Sequence, residues 1–311
     1  MQLKSLNPAN KQNILKFLSK SLSKPISEIS LNKTRNNGAC SWSYKVTTSS
    51  DTFFLKVLRQ EVSTSVVQSV SLRRIENECN GAQFAFSALG NPLFPIACCK
   101  DSAMVLYRWV PSEFGNVQHM IDASKSAVDC IYNELFIFLA NWRKSSAGID
   151  PPKTSKAAFK QLRIEAFFDQ AAQKFPEYAQ KIHRLSNRLL NGERVFTHGD
   201  FSPKNIVLDS VQKKYCVVDF ELCHSGLPEY DTAGLTHHYA IDCVTQGIER
   251  SLEEVLYTIK KPNSATSGLD EEFLHNLVGI LLMGRIYGKA RFNFEKRNQK
   301  RLLEEVARHL I

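Results

Sequence analysis

Apolar residues recur at helical spacing near the start of the chain, at Ile14, Leu15, Phe17, Leu18 and Leu22, and Pro25 stops the pattern. This predicts a helix followed by an extended segment. Two strand-like stretches come next, 29–34 and 43–48, and the turn-rich link 35–41 between them reads as a hairpin. A third strand candidate, 52–58, holds a lone Lys56 inside an otherwise apolar run. Residues 66–89 predict a helix carrying Glu76 and Glu78, and 97–99 and 104–109 read as two short strands. After Pro111 the pattern changes. Helical stretches over 122–144, 156–191, 232–260, 270–290 and 296–311 dominate, interrupted by one β-like island from Val195 to Glu221. The chain therefore reads as α+β, with a small antiparallel sheet and one helix over 1–108 and a larger, mainly helical region over 109–311.

Composition narrows the function classes. With 311 residues, 43% apolar and 23% charged, the chain has the balance of a soluble globular protein of about two domains. Forty Lys and Arg against 31 Asp and Glu leave +9, which suits an anionic ligand, a nucleotide or a nucleic acid. Nucleic acid is disfavoured because the charge is spread thinly and its strongest cluster is only Lys289 to Arg301. No apolar run approaches the roughly 18 residues of a membrane span, and Met1–Asn10 lacks the apolar core of a secretion signal. Eight cysteines without a CxxC pair are expected to be reduced thiols in a cytoplasmic protein.

The β-like island carries the chemistry. It reads Thr197-His198-Gly199-Asp200-Phe201-Ser202-Pro203-Lys204-Asn205, then, after a turn, Val217-Val218-Asp219-Phe220-Glu221. Phosphoryl transfer from a nucleotide needs a carboxylate to orient an acceptor hydroxyl and receive its proton. It also needs Mg²⁺, which takes hard oxygen ligands from carboxylates and side-chain amides. Asp200 and Asn205 flank a Pro-containing loop that can turn both into one cleft, and Asp219 ends an apolar β run facing it. One base and two metal ligands therefore sit on a short loop and hairpin.

The segment His198-Gly199-Asp200-x-x-x-x-Asn205, followed by Val218-Asp219-Phe220-Glu221 and by Gly226-Leu227-Pro228-Glu229-Tyr230-Asp231-Thr232-Ala233, resembles the protein-kinase-like small-molecule phosphotransferases. That superfamily holds aminoglycoside phosphotransferases, choline and ethanolamine kinases, and methylthioribose kinase. Gly199 and Glu221 stand where protein kinases have His-Arg-Asp and Asp-Phe-Gly, which points to a small acceptor. The resemblance implies a bilobal protein-kinase-like fold with ATP or GTP and Mg²⁺ between the lobes. It implies Asp200 as catalytic base, Asn205 and Asp219 as Mg²⁺ ligands, and Glu221 as holder of a second metal or its water. By the same resemblance His198 and Asp231 support the catalytic loop.

A nucleotide lobe also needs a cation against the phosphates, held by an acidic partner on a helix. Lys56 fits, because a buried ammonium is costly unless paired. Glu78 is the candidate partner and Glu76 the alternative. Ser41 is a candidate phosphate donor in a loop with one glycine, and Tyr107 and Trp109 sit where the lobes join and a purine edge would be read. Gly284 to Ala290 superficially has the look of a P-loop but lacks its spacing and its Ser or Thr. On that late helix, Arg285 and Lys289 are candidates to meet an anionic substrate. A quaternary amine would instead want an aromatic cage, for which Tyr239, Tyr287, Phe292 and Phe294 are candidates. A protein kinase needs a docking segment that the eleven residues between Asp219 and Asp231 are too few to form. A pseudoenzyme predicts loss of a base or ligand that is present here. The expected activity is phosphorylation of a hydroxyl on a small molecule, with no nucleic-acid or membrane partner.

Overall fold

The computed structural model describes residues 8–34, 40–60, 70–108, 114–209, 211–246, 250–261, 263–288 and 292–311. In the N-terminal lobe, α1 (Pro8–Leu22) precedes β1 (Ser30–Lys33), β2 (Ser41–Thr47) and β3 (Thr52–Leu58); α2 (Arg74–Leu89) then leads to β4 (Pro95–Cys99) and β5 (Met104–Arg108). The five strands form an antiparallel sheet in the order β1-β2-β3-β5-β4. Period-two alternation sends Leu31, Val46, Leu55 and Leu106 to one face, where Ile14 and Leu18 of α1 pack on them. The helix α2 covers the opposite face. It starts at Arg74, later than the predicted 66, with 61–69 outside the described residues, and it ends at Gly90 in the left-handed conformation (φ 68°). Trp109, predicted as the end of the last strand, also lies outside the described residues.

One expectation about the thiols is corrected here. Cys79 on α2 and Cys98 on β4 form a disulfide, with Cα atoms 6.5 Å apart. The cysteines are 19 residues apart in sequence, so no short motif announces a pair that the packing of helix on sheet creates.

In the C-terminal lobe, β6 (Phe114–Asn116) leads into α3 (Val117–Ala123) and α4 (Val128–Ser146). The single helix predicted over 122–144 is thus two, interrupted at Ser124. The predicted helix over 156–191 is likewise broken. It comprises α5 (Ala157–Phe159), a π-helical stretch (Lys160–Phe168), α6 (Asp169–Lys174), and α7 (Ala179–Asn191) beyond a turn at Pro176. Proline lacks the N–H that the helix would need and restrains the residue before it, so the helix ends there. The island folds as β7 (Val195–Thr197), β8 (Ile206–Asp209), β9 (Lys214–Val217) and β10 (His224–Gly226), pairing as β10-β7 and β6-β8-β9. Four helices complete the lobe: α8 (Pro228–Thr245), α9 (Leu252–Lys260), α10 (Glu271–Tyr287) and α11 (Arg297–Leu310). They bury one apolar core with α6 and α7. Gly284 lies inside α10 against Phe167, where a Cβ would sit 2.4 Å from the ring, so this glycine serves close packing, not a phosphate loop. Among the described residues, no helix is long and apolar enough to cross a membrane.

The helix α2 is bound to the C-terminal lobe by side-chain amides acting as surrogate backbone. Asn77 donates to Ser155 O (2.7 Å) and accepts from Ser155 N (2.8 Å). Asn91, just past the helix, donates to Val217 O (3.1 Å) and accepts from Val217 N (2.8 Å). Gly81 permits the close approach, since a Cβ there would lie 2.4 Å from Cys223 Sγ.

Candidate active site

The site is built on the loop after β7 and on the end of β9. Gly199 has φ +77°, and a Cβ there would meet Leu222 O at 2.5 Å, so only glycine lets the loop turn at this point. Both oxygens of the Asp231 carboxylate accept backbone N–H groups of the loop, from His198 (2.6 Å) and Gly199 (2.9 Å). Burial pushes the Asp231 carboxyl up to about 7 against the pull of those two donors. His198 is fully buried. Its Nδ1 accepts from Asp200 N (3.2 Å) and its Nε2 faces Val218 O (3.1 Å), an arrangement that a neutral imidazole satisfies at both nitrogens. Burial lowers its pKa to about 4, which holds that neutral form.

Asn205 ties the loop to the hairpin. Its Nδ2 donates to Asp200 O and to Asp200 Oδ2, both at 2.9 Å, and its backbone carbonyl accepts from Val218 N (2.9 Å). Asn205 Oδ1 meets no donor among the described residues. Asp219 follows Val218 with φ 73° and ψ 62°, a left-handed conformation that Asp tolerates better than most residues. Asp200, Asn205 and Asp219 are therefore neighbours. An amide oxygen next to a carboxylate, both hard donors, is the ligand chemistry that Mg²⁺ takes.

On the sheet side, Lys56 Nζ lies 2.9 Å from Glu78 Oε2 and 2.5 Å from Asp219 Oδ1. The choice left open between two glutamates is decided by the helix: Glu78 is buried and Glu76, two residues away on another face, is exposed. Burial alone would lower the Lys56 pKa, but Asp219, Glu78 and Glu221 raise it, so the ammonium stays charged. Tyr107 donates its hydroxyl to Glu78 Oε1 (2.7 Å), so its side chain acts through Glu78. Ser41 is buried at the start of β2, opposite Leu58 and beside residues 35–39, which are not described.

Glu221, expected to hold a second metal or its water, is paired with an arginine. Its Oε2 accepts from Arg74 Nε at 3.0 Å and stands 3.9 Å from Lys56. Arg74 is fully buried and spends its remaining donors on the carbonyls of Val70, Ser71, Cys40 and Arg59. Sequence reasoning missed it, because one arginine at the start of a helix reads as solvated surface.

On the helical side, Arg163 from the π-helical stretch meets Asp200 Oδ1 at 2.5 Å, and Lys204 meets Asp200 Oδ2 at 3.0 Å. Burial would raise the Asp200 carboxyl, but Arg163, Lys204 and Arg285 hold it well below the usual carboxylate range. Arg163 was also missed. Inside a long helical pattern nothing marks it, although π-helical turns concentrate at functional sites. Arg285 lines the same cleft, and Lys289 lies outside the described residues. The aromatic candidates are elsewhere. Tyr239 stacks on Tyr132 (4.5 Å) and bonds Asp129, Tyr287 bonds Glu304, and Phe292 packs on Phe294 (5.0 Å). None of the four lines the cleft beside Asp200.

Residues 103–249 match the model of a family described as the phosphotransferase enzyme family. Among solved structures, the chain is similar to a choline kinase from Streptococcus pneumoniae, at 13% identity over 96% of this chain and 98% of that one, with a TM-score of 0.53. It is similar to an ethanolamine kinase from Plasmodium vivax at 12% identity over 100% and 99%, with a TM-score of 0.52. A microcompartment-associated aminopropanol kinase aligns at 14% identity over 95% of each chain, with a TM-score of 0.53. No curated protein sequence matches the chain. The family match and the shared bilobal fold bear out the resemblance to protein-kinase-like small-molecule phosphotransferases.

Proposed function

We propose that this chain, with its phosphotransferase segment and kinase-like fold, transfers the γ-phosphoryl group of ATP or GTP to a hydroxyl of a small molecule. The observation that supports the reading most is the meeting of Asp200, Asn205 and Asp219 beside a buried Lys56–Glu78 pair. Bound Mg²⁺–nucleotide supplies the transferable phosphoryl group and the metal that neutralises its charge; Asn205 Oδ1 and Asp219 would hold the metal. In this reading Lys56, kept cationic and aimed by Glu78, binds the nucleotide phosphates. Tyr107 fixes Glu78, Asp231 fixes the loop backbone, and His198 braces Asp200 and Val218. Glu221 holds Arg74 through one carboxylate oxygen.

Asp200 is the catalytic base. With its pKa held low it is a weak base, which suits a loose phosphoryl-transfer transition state in which the acceptor proton leaves late. Its larger task is then to orient the hydroxyl in line with the transferring group, since positioning supplies much of the acceleration. The segment between Asp219 and Asp231 is taken up by a short helical turn and by β10, and its residues are mostly buried. That leaves no platform for a protein acceptor. Acceptor-dependent ADP or GDP release, measured across a panel of hydroxyl metabolites and antibiotics, tests the proposal. Phosphorylated product with at least one small acceptor is expected. A chain that binds no Mg²⁺–nucleotide overturns it.

A further inference from the structure

We infer that Arg163 makes Asp200 choose an acceptor hydroxyl over water: it caps the carboxylate while the cleft is narrow and leaves it only when an acceptor enters. The inference rests on the phosphotransferase reading and adds a specificity-determining residue to it. An enzyme that holds a transferable phosphoryl group in water must suppress its hydrolysis until the acceptor arrives.

Both oxygens of the Asp200 carboxylate are engaged. Oδ1 stands 2.5 Å from Arg163 Nη2, and Oδ2 accepts from Asn205 Nδ2 at 2.9 Å and meets Lys204 Nζ at 3.0 Å. Lys204 and Asn205 belong to the loop that carries Asp200, so their contacts travel with it. Arg163 comes from elsewhere, the π-helical stretch that lines the helical side of the cleft. Asp200 is its one ion-pair partner among the described residues. The free space in this cleft is about 10 Å³, room for about one water and for no acceptor.

That space sets the competition. A water fits the narrow cleft, whereas an acceptor must first widen it. With Oδ1 open, the water could pass a proton to Asp200 while its oxygen attacks the γ-phosphorus and the bond from phosphorus to the bridging oxygen breaks. The products would be inorganic phosphate, nucleoside diphosphate and a proton released from Asp200 to solvent. A guanidinium seated on Oδ1 removes the proton acceptor from that route.

The arginine sits on an element able to release it. In its stretch the N–H of Asp169 reaches the carbonyl of Ile164, five residues back, one more than an α-helix spans. Return of this turn to α spacing rotates Arg163 about the helix axis. Phe167, one turn on, offers the guanidinium a face to rest against, with Arg163 Cζ 5.6 Å from the ring centre. Because Arg163 lines the cleft, the widening that admits an acceptor also draws it off Asp200, and substrate binding completes the base.

The test uses the full chain with Mg²⁺ and ATP, then GTP, without acceptor, and follows inorganic phosphate. Arg163→Met, which keeps the stem and removes the guanidinium, should release phosphate at least about tenfold faster than the unmodified chain, a fraction of what a positioned base is worth. Arg163→Lys, which keeps a cation, should gain less. Adding Asp200→Ala to Arg163→Met should abolish the gain. Tm with and without a non-hydrolysable triphosphate analogue establishes that each variant is folded and loaded, and Arg163→Gln replaces Arg163→Met should the latter not fold. Loss of a merely structural arginine would slow turnover, so a gain of hydrolysis separates the two roles. Unchanged or slower phosphate release in the folded, loaded variant overturns the inference. So does a gain that survives Asp200→Ala, or one of equal size in Arg163→Lys. Failure of the unmodified chain to bind the analogue would instead sink the phosphotransferase reading.

Discussion

The two flanks of Asp200 are charged in opposite ways. Toward the sheet, Lys56 and Arg74 face Glu78, Asp219 and Glu221, so carboxylates outnumber cations and each cation has a partner within hydrogen-bond reach. Toward the helices, Arg163 and Lys204 pair with Asp200, and Arg285 adds to the positive field on it. The first flank suits a divalent cation carrying polyphosphate, because an acidic surplus is what Mg²⁺ neutralises. One short loop thus separates two electrostatic environments, and chemistry at their border is steered from both sides.

The largest expected effect breaks the first flank. Asp219→Ala removes a proposed metal ligand and releases Lys56, and turnover should fall by about 10³-fold or more. Circular dichroism should report an unchanged fold. Near-normal single-turnover rates in this variant would dissolve the contrast between the flanks.

Arg74 tests whether the sheet side depends on its buried pair. Arg74→Leu leaves the buried Glu221 carboxyl without the guanidinium that bonds it, at a cost of about 3–5 kcal/mol. Urea unfolding should show the loss, and Arg74→Leu combined with Glu221→Leu should recover much of it. Additive losses in the double variant would mean that the two side chains act independently.

The smallest effect concerns acid. His198 has a folded pKa near 4, well below the ordinary 6.5, so the unfolded chain binds more protons between those values. Stability from its neutral ring is complete above about 6.5 and is lost as pH falls toward 4, by up to roughly 3 kcal/mol for this group. Unfolding midpoints measured from pH 7 to 4 should fall steadily, and less steeply in His198→Gln. A midpoint independent of pH in that window would remove the role given to the buried ring.

The parts legible in the sequence share one property: a polar residue stands where its local pattern forbids one. Lys56 inside an apolar strand, and Asp200, Asn205 and Asp219 closely spaced around a β run, are out of place unless they form a site. The bilobal α+β architecture was legible for a related reason, since the periodicity changes from two to 3.6 after Pro111. Arg74 and Arg163 were invisible because each sits on a helix, where a lone cation is ordinary, and burial comes only from packing of distant segments. The choice of Glu78 over Glu76 depended on which face of α2 turns inward. The break at Pro176 could have been seen, because the proline was in plain sight within a stretch taken as one helix.

The amide clasps on α2 have a mechanical consequence. Asn77 and Asn91 fasten this helix to Ser155 and Val217, and packing, the Lys56–Glu78–Tyr107 contacts, the bonds from Arg74 to Cys40 and Arg59, and the Cys79–Cys98 bond fasten it to its own sheet, so the helix couples the two lobes. The disulfide adds a covalent tether between helix and sheet, the one link of the set that a reductant would remove.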